Sequence, residues 1–181
     1  MKNYLLSNAF NRPARLSLTL LFCCLLGMGM TWGQTTYTLV TNANDLSIGD
    51  KIIIAASDFN LAISTTQNNN NRDQATITKS ENNCTPSSNV QILTVGAGTI
   101  SGTFSLNTGS GYLYAASSSN NYLRTQATLD ANCSWKITFS GNVANIIAQG
   151  SYTRNVMQYN STNSLFSCYG SASQKALTVR M

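Results

Sequence analysis

The chain has 181 residues, of which only 9% are charged, and it contains no histidine. Without an imidazole it lacks the side chain best suited to moving protons near neutral pH, which excludes His-based catalysis and His metal sites. Eleven basic residues against six acidic ones give a formal net charge of +5, and the meaning of that charge depends on where it lies.

Residues 1–33 have the organisation of a secretory signal. Lys2, Arg12 and Arg15 make a basic start, and Leu16 to Met30 is a nearly unbroken apolar run. At roughly 15 residues the run is shorter than the ~20 that a membrane-spanning helix needs. Thr31-Trp32-Gly33 then sets small residues at the first and third positions before a cut, predicting a mature chain that begins at Gln34. Cys23 and Cys24 lie inside the run, but the bulky Phe22 stands where a lipidation signal needs a small residue. Three of the eleven basic residues leave with this segment and all six acids stay, so the remainder carries only +2. Its Lys and Arg residues are dispersed singly. No phosphate-tracking patch is present, and neither nucleic acid nor, after cleavage, a membrane is an expected partner.

The remaining chain, 34–181, is about the size of one domain with a single core. Helical periodicity is nearly missing, and turn formers interrupt the sequence every ten residues or so. Strands are predicted at Tyr37 to Val40, Lys51 to Ala55, Leu61 to Ser64, Ala75 to Lys79, Val90 to Val95, Thr99 to Leu106 and Tyr112 to Ala115. Further along they fall at Trp135 to Ser140, Val143 to Gln149, Val156 to Tyr159, Leu165 to Tyr169 and Ala176 to Val179. Ile52-Ile53-Ile54-Ala55-Ala56 reads as a strand buried on both faces, entered through a turn at Asn44 to Asp50. Trp135, Ile137 and Phe139 alternate onto one core-facing side, with Lys136 and Thr138 outward. Ser140-Gly141-Asn142 and Gly96-Ala97-Gly98 read as hairpin turns, since Gly and Asn accept the positive φ that tight turns require. The polar stretches Asn68 to Asn71, Ser80 to Ser88 and Ser117 to Asn121 read as exposed loops.

Short strands at this spacing predict an all-β fold, a single compact antiparallel β-barrel or sandwich. A loose internal repeat sharpens that expectation. Asn60-Leu61-Ala62-Ile63-Ser64, Gly111-Tyr112-Leu113-Tyr114-Ala115 and Asn155-Val156-Met157-Gln158-Tyr159 each open on Asn or Gly and run into a short strand ahead of a polar loop. Three units of about four strands each fit a β-trefoil as well as a plain barrel fits the whole.

Few residues here can carry chemistry. Ser or Cys nucleophiles would need Lys or a carboxylate as base, and no Ser-x-x-Lys arrangement with a second motif occurs. The acids Asp45, Asp50, Asp58, Asp73, Glu81 and Asp130 could in principle pair for glycoside hydrolysis, but they stand where Asp and Glu cap turns. No DxDxDG-like calcium loop is present. Cys84, Cys133 and Cys168 are too far apart in sequence for a metal-ligand pattern, and their odd number allows at most one disulfide among them, of unspecified pairing. Neither a metal nor a cofactor is implied, and the expectation is a protein that is not an enzyme. The sequons at Asn83, Asn132 and Asn160 are unsurprising in a chain so rich in Asn, Ser and Thr.

Aromatic residues beside polar loops are the plausible functional surface. A Tyr ring offers a flat apolar face to a sugar, and neighbouring amides and Arg supply directional hydrogen bonds. Among Tyr112, Tyr114, Tyr122, Tyr152, Tyr159 and Tyr169, the candidate binding set is Tyr112, Tyr114, Tyr122 and Tyr159, joined by Arg154 and Asn160. The competing structural reading is that most of these tyrosines pack in the core.

The stretch Gly111 to Thr125, then Leu129-Asp130-Ala131-Asn132, Trp135-Lys136-Ile137, Ala148-Gln149-Gly150, Arg154-Asn155, Tyr159-Asn160 and Leu165-Phe166-Ser167-Cys168-Tyr169, resembles a β-rich module of secreted Bacteroidetes proteins. The resemblance extends from about Tyr37 to the C-terminus. It implies a non-catalytic appendage of the kind found beside extracellular nuclease, glycan-active or adhesion domains, in the envelope or outside a Gram-negative cell. No active-site motif comes with it, so no residue inherits a role. Ala176 to Met181 reads as the module's own last strand, which leaves a module acting alone or the front part of a longer extracellular hydrolase. The expectation is a secreted accessory module binding a polysaccharide or surface glycoconjugate, with a structural or adhesion spacer as the alternative.

Overall fold

The computed structural model describes residues 35–181; the secretory segment expected over 1–33, with its cleavage site and Cys23 and Cys24, lies outside the described residues. Fourteen strands form one sheet. They are β1 (Tyr37–Val40), β2 (Lys51–Ala56), β3 (Leu61–Asn68), β4 (Asn71–Ser80), β5 (Asn83–Pro86), β6 (Leu93–Ala97) and β7 (Phe104–Asn107). After them come β8 (Tyr112–Ala115), β9 (Leu123–Gln126), β10 (Trp135–Ser140), β11 (Val143–Ala148), β12 (Val156–Asn160), β13 (Leu165–Tyr169) and β14 (Leu177–Arg180). The helical content of the described residues is two 3-10 turns, Ala43–Asp45 and Ala131–Cys133.

The pairings are antiparallel and close a ring: β2 joins β6, β6 joins β7, β7 joins β10, β10 joins β11, β11 joins β14, and β14 returns to β2. Three hairpins, β3–β4, β8–β9 and β12–β13, hang from it, each attached through its first strand to the ring strand just before it. This is the strand connectivity of a β-trefoil, and the three repeated segments of the sequence are the first strands of the three hairpins. A longer circuit through β12, β13, β4, β5 and β1 takes in eleven strands. The closure is uneven, with six residue pairs between β10 and β11 but one between β7 and β10, so the ring is not a regular barrel.

Packing follows the repeat. At the three equivalent joints, Ile52 faces Leu93, Phe104 faces Trp135, and Ala144 faces Leu177; all but the half-buried Phe104 lie in the main core. Trp135 is fully buried and its indole N–H donates to the Leu113 carbonyl at 3.0 Å, so its one polar atom is satisfied. β2 is buried on both faces, as its unbroken apolar run predicts. Ile52, Ile54 and Ala56 enter the main core, whereas Ile53 and Ala55 meet Tyr37, Ala62, Ala75, Ile77, Cys84 and Val90 in a second one. That second core exists because the first repeat departs from the other two: β4 runs on to pair with β5, and β5 with β1.

Four expectations need correction. Ser80 to Ser88 is not a loop but carries β5, whose Cys84 is buried in the second core. Asn68 to Asn71 is a hairpin tip rather than a loop, the strands running up to Asn68 and from Asn71, with Asn69 at φ 51°. Gly96 and Ala97 lie in β6, and the β6–β7 connection is residues 98–103, so β7 starts later than the alternation implied. The four-residue β9 escapes a pattern search because one apolar residue, Leu123, marks it. Cys84, Cys133 and Cys168, the cysteines among the described residues, are buried and free, with no disulfide between them. Among the described residues no helix is long and apolar enough to cross a membrane.

Candidate functional site

The second hairpin is built from a short alternation. In Tyr112-Leu113-Tyr114-Ala115, Leu113 and Ala115 are fully buried in the main core, which sends Tyr112 and Tyr114 to the opposite, outward side. Across the ladder Tyr112 faces Gln126, Tyr114 faces Arg124, and Ala115 faces Leu123. The ladder continues beyond β8, where the Ala116 N–H donates to the Tyr122 carbonyl at 3.4 Å, so Tyr122 falls on the same outward side as Arg124. Gly111 permits this approach: its φ is 156°, and a Cβ there would come within 2.5 Å of the Gln126 carbonyl oxygen.

The outward face of β8–β9 therefore carries Tyr112, Tyr114 and Tyr122 together with Arg124 and Gln126, all half-buried. Its rim is fixed by a second loop. Between β11 and β12, the Thr153 N–H donates to Ser118 Oγ at 3.1 Å and its hydroxyl to the Ser118 carbonyl at 3.3 Å. Next to it, Arg154 Nη1 donates to Asn121 Oδ1 at 2.8 Å. The Nε atoms of Arg124 and Arg154 are shielded from solvent and have no hydrogen-bond partner.

Three-fold repetition supplies its own comparison. On the first hairpin the corresponding outward positions are Ala62 and Ala75, buried in the second core. On the third they are Gln158 and Ser167, also buried; the Gln158 carbonyl oxygen accepts the N–H groups of Ser173 and Gln174. The second hairpin is the one whose outward pairs keep aromatic and cationic groups partly exposed.

The structure separates the sequence-derived candidates. Tyr112, Tyr114 and Tyr122 share one face, and Arg154 joins its rim. Tyr159 does not belong: it is 2% exposed, its ring packs against Phe59 and Phe166 at centroid distances of 5.4 and 4.9 Å, and its hydroxyl donates to Gln74 Oε1. The inward alternation of β12, with Met157 and Tyr159 both in the main core, is the physical reason. Asn160 is committed to its own turn. Its Oδ1 accepts the N–H groups of Thr162 and Asn163, and its Nδ2 donates to the buried Tyr169 hydroxyl at 2.9 Å. Arg124 and Gln126 were missed by sequence reasoning. The alternation Leu123-Arg124-Thr125-Gln126 after a polar turn, matched to Tyr112 to Ala115, is the signal that finds them.

Among the described residues no three His, Cys, Asp or Glu side chains gather to hold a metal ion. Asp130 accepts the N–H groups of Asn132 and Cys133 as an N-cap, at 2.8 and 3.2 Å. Burial opposes its ionisation, but hydrogen bonds from Gln126, Cys133 and Asn132 outweigh that and hold the carboxyl below its ordinary range. Asp50 similarly accepts the Ser47 N–H at 2.6 Å. Burial raises the thiols: Cys84 is pushed up, Cys133 is pushed up to about 11, and Cys168 is raised further still.

No protein-family model matches this chain, and no curated protein matches it.

Proposed function

We propose that the chain is a secreted, non-catalytic accessory module, of the kind its resemblance to secreted Bacteroidetes modules implies, and that it binds a glycan on the outward face of β8–β9. The observation that carries this reading is the placement of Tyr112, Tyr114 and Tyr122 on one side of a single hairpin, with Arg124 and Gln126 directly opposite the first two. Aromatic faces stack on pyranose rings, and the intervening guanidinium donates to hydroxyls, whereas the Gln126 amide is already spent on the Thr128 carbonyl and Cys133 Sγ. Export rests on the basic start and apolar run of residues 1–33. The proposal is tested by retention of the purified protein on a panel of immobilised bacterial, plant and host polysaccharides. Binding that is lost in Tyr114→Ala, with the fold intact, supports it; absence of retention on the whole panel overturns it.

A structural or adhesion spacer is the second reading, and a specific observation favours it. Many polar side chains bond within their own turns: Asn42 caps the first 3-10 turn, Asn107 accepts the Gly109 N–H, and Ser117 accepts the N–H groups of Ser119 and Asn120. Such residues serve folding and leave recognition to the tyrosine face. The two readings part on Tyr114→Ala, which leaves a spacer unaffected.

A further inference from the structure

Resting on the glycan-binding reading, we propose that the ligand of the β8–β9 face is an acidic polysaccharide, whose carboxylate or sulfate is received by Arg124, with Arg154 at the rim. Arg124 stands opposite Tyr114 on a half-buried face. Its Nε is shielded and has no acceptor. The Nε is therefore closed to a ligand as it is to water, and it is the two terminal nitrogens of Arg124, which make no hydrogen bond among the described residues, that a planar oxyanion meets in two parallel bonds. Arg154 repeats the pattern in part: its Nη1 is held by a neutral amide, Asn121, and its Nε is also without an acceptor. Asp130, the acid nearest Arg124 in sequence, is already occupied by two backbone N–H groups.

Arg72 and Arg180 also have unpartnered Nε atoms, and they show what a purely structural arginine looks like in this fold. Each is 4% exposed, and their terminal nitrogens donate to backbone carbonyls, those of Ser64 and Thr65 for Arg72 and that of Asn82 for Arg180. A polymer cannot reach them. Arg124 differs in being partly exposed between tyrosines, where a sugar ring and its acid group can be met together.

The test compares matched polymers by affinity electrophoresis or calorimetry at physiological salt: polygalacturonate against its carboxyl-reduced form, and dextran sulfate against dextran. Binding at least tenfold tighter to a charged member than to its neutral counterpart is expected, with at least a tenfold loss in Arg124→Lys, which keeps the charge but not the fork. Arg154→Gln is a second probe should the first variant unfold. Which charged polymer is preferred separates carboxylate from sulfate. Equal binding to charged and neutral members overturns the acidic ligand and leaves the glycan reading standing, whereas no binding to any polymer, together with none on the wider panel, overturns both. An equal loss in Lys136→Gln, at an exposed position on β10, a strand paired with β7 and β11, shows attraction by net charge alone and also overturns the inference.

Discussion

Tyr114 and Arg124 are directly opposed across β8 and β9, on the outward side of the one hairpin, among the three that hang from the ring, whose outer face keeps aromatic and cationic groups partly exposed. The pair separates binding from folding when set beside Tyr159. Tyr114→Ala removes a partly exposed ring and is expected to change stability by about 0.5 kcal/mol or little more. Tyr159→Ala empties a fully packed position against Phe59 and Phe166 and is expected to cost about 3–5 kcal/mol. Denaturant unfolding and polysaccharide retention measured on both variants check this: retention falls in the first with its midpoint kept, and the midpoint falls in the second.

Asp130 predicts a stability loss on the acid side. Its folded pKa lies below the ordinary carboxylate value, so its contribution is fully present above about pH 4 and disappears as pH falls through the folded pKa. Asp130→Asn keeps an amide oxygen able to cap the 3-10 turn but removes the titration. It is expected to flatten the dependence of unfolding free energy on pH below about 4. Asp130→Ala removes the cap as well and is expected to cost about 1 kcal/mol at neutral pH. Urea titrations of the three proteins between acid and neutral pH give the comparison.

The strands that sequence reasoning located are those whose side chains carry a pattern. β1, β8, β10 and β13 fall at the predicted residues because alternation or an apolar run marks both ends. β5 and β9 were invisible for the opposite reason. Asn83-Cys84-Thr85-Pro86 and Leu123-Arg124-Thr125-Gln126 each have one strongly buried residue, and their strand state is imposed by neighbours already in place. The missing β9 also hid half of the candidate site, since Arg124 gains its meaning from facing Tyr114. Tyr112, Tyr114 and Tyr159 look alike in sequence. Which of them are outward depends on the phase of each strand against the core, and phase is set by the hairpin register rather than by composition.

The thiols offer a check on the cores. Cys84, Cys133 and Cys168 are free and buried, and burial raises all three pKa values, that of Cys133 to about 11. Little thiolate is present at pH 8, and little surface is open to attack. Peptide mapping after alkylation is expected to find all three unmodified in the native protein and fully modified in guanidinium. Rapid native labelling of Cys133 alone would show that the 127–134 connection opens.

The asparagine-rich tip of the first hairpin has a task that its composition did not reveal. β9 pairs with β8 on one side and has no strand on the other, which leaves N–H groups pointing at a neighbour that must accept them. The Thr125 N–H donates to Gln67 Oε1 at 2.8 Å. The Leu123 N–H is shared between the Asn70 carbonyl at 3.0 Å and Asn71 Oδ1 at 3.2 Å. Arg72 adds a bond from Nη1 to the Thr125 hydroxyl at 3.1 Å. Side-chain amides thus stand in for a missing strand and tie the first repeat to the second. Because Thr125 has one acceptor and Leu123 has two, the two substitutions are unequal. Gln67→Ala leaves the Thr125 N–H unmet and is expected to cost about 1–3 kcal/mol; Asn71→Ala leaves Leu123 its backbone acceptor and costs less. Hydrogen exchange reads the difference at single amides: protection of Thr125 falls sharply in Gln67→Ala, while that of Leu123 changes little in Asn71→Ala. Equal loss at both amides in both variants would mean that the hairpin tip detaches as a unit, and the amides would then not be acting as separate seals.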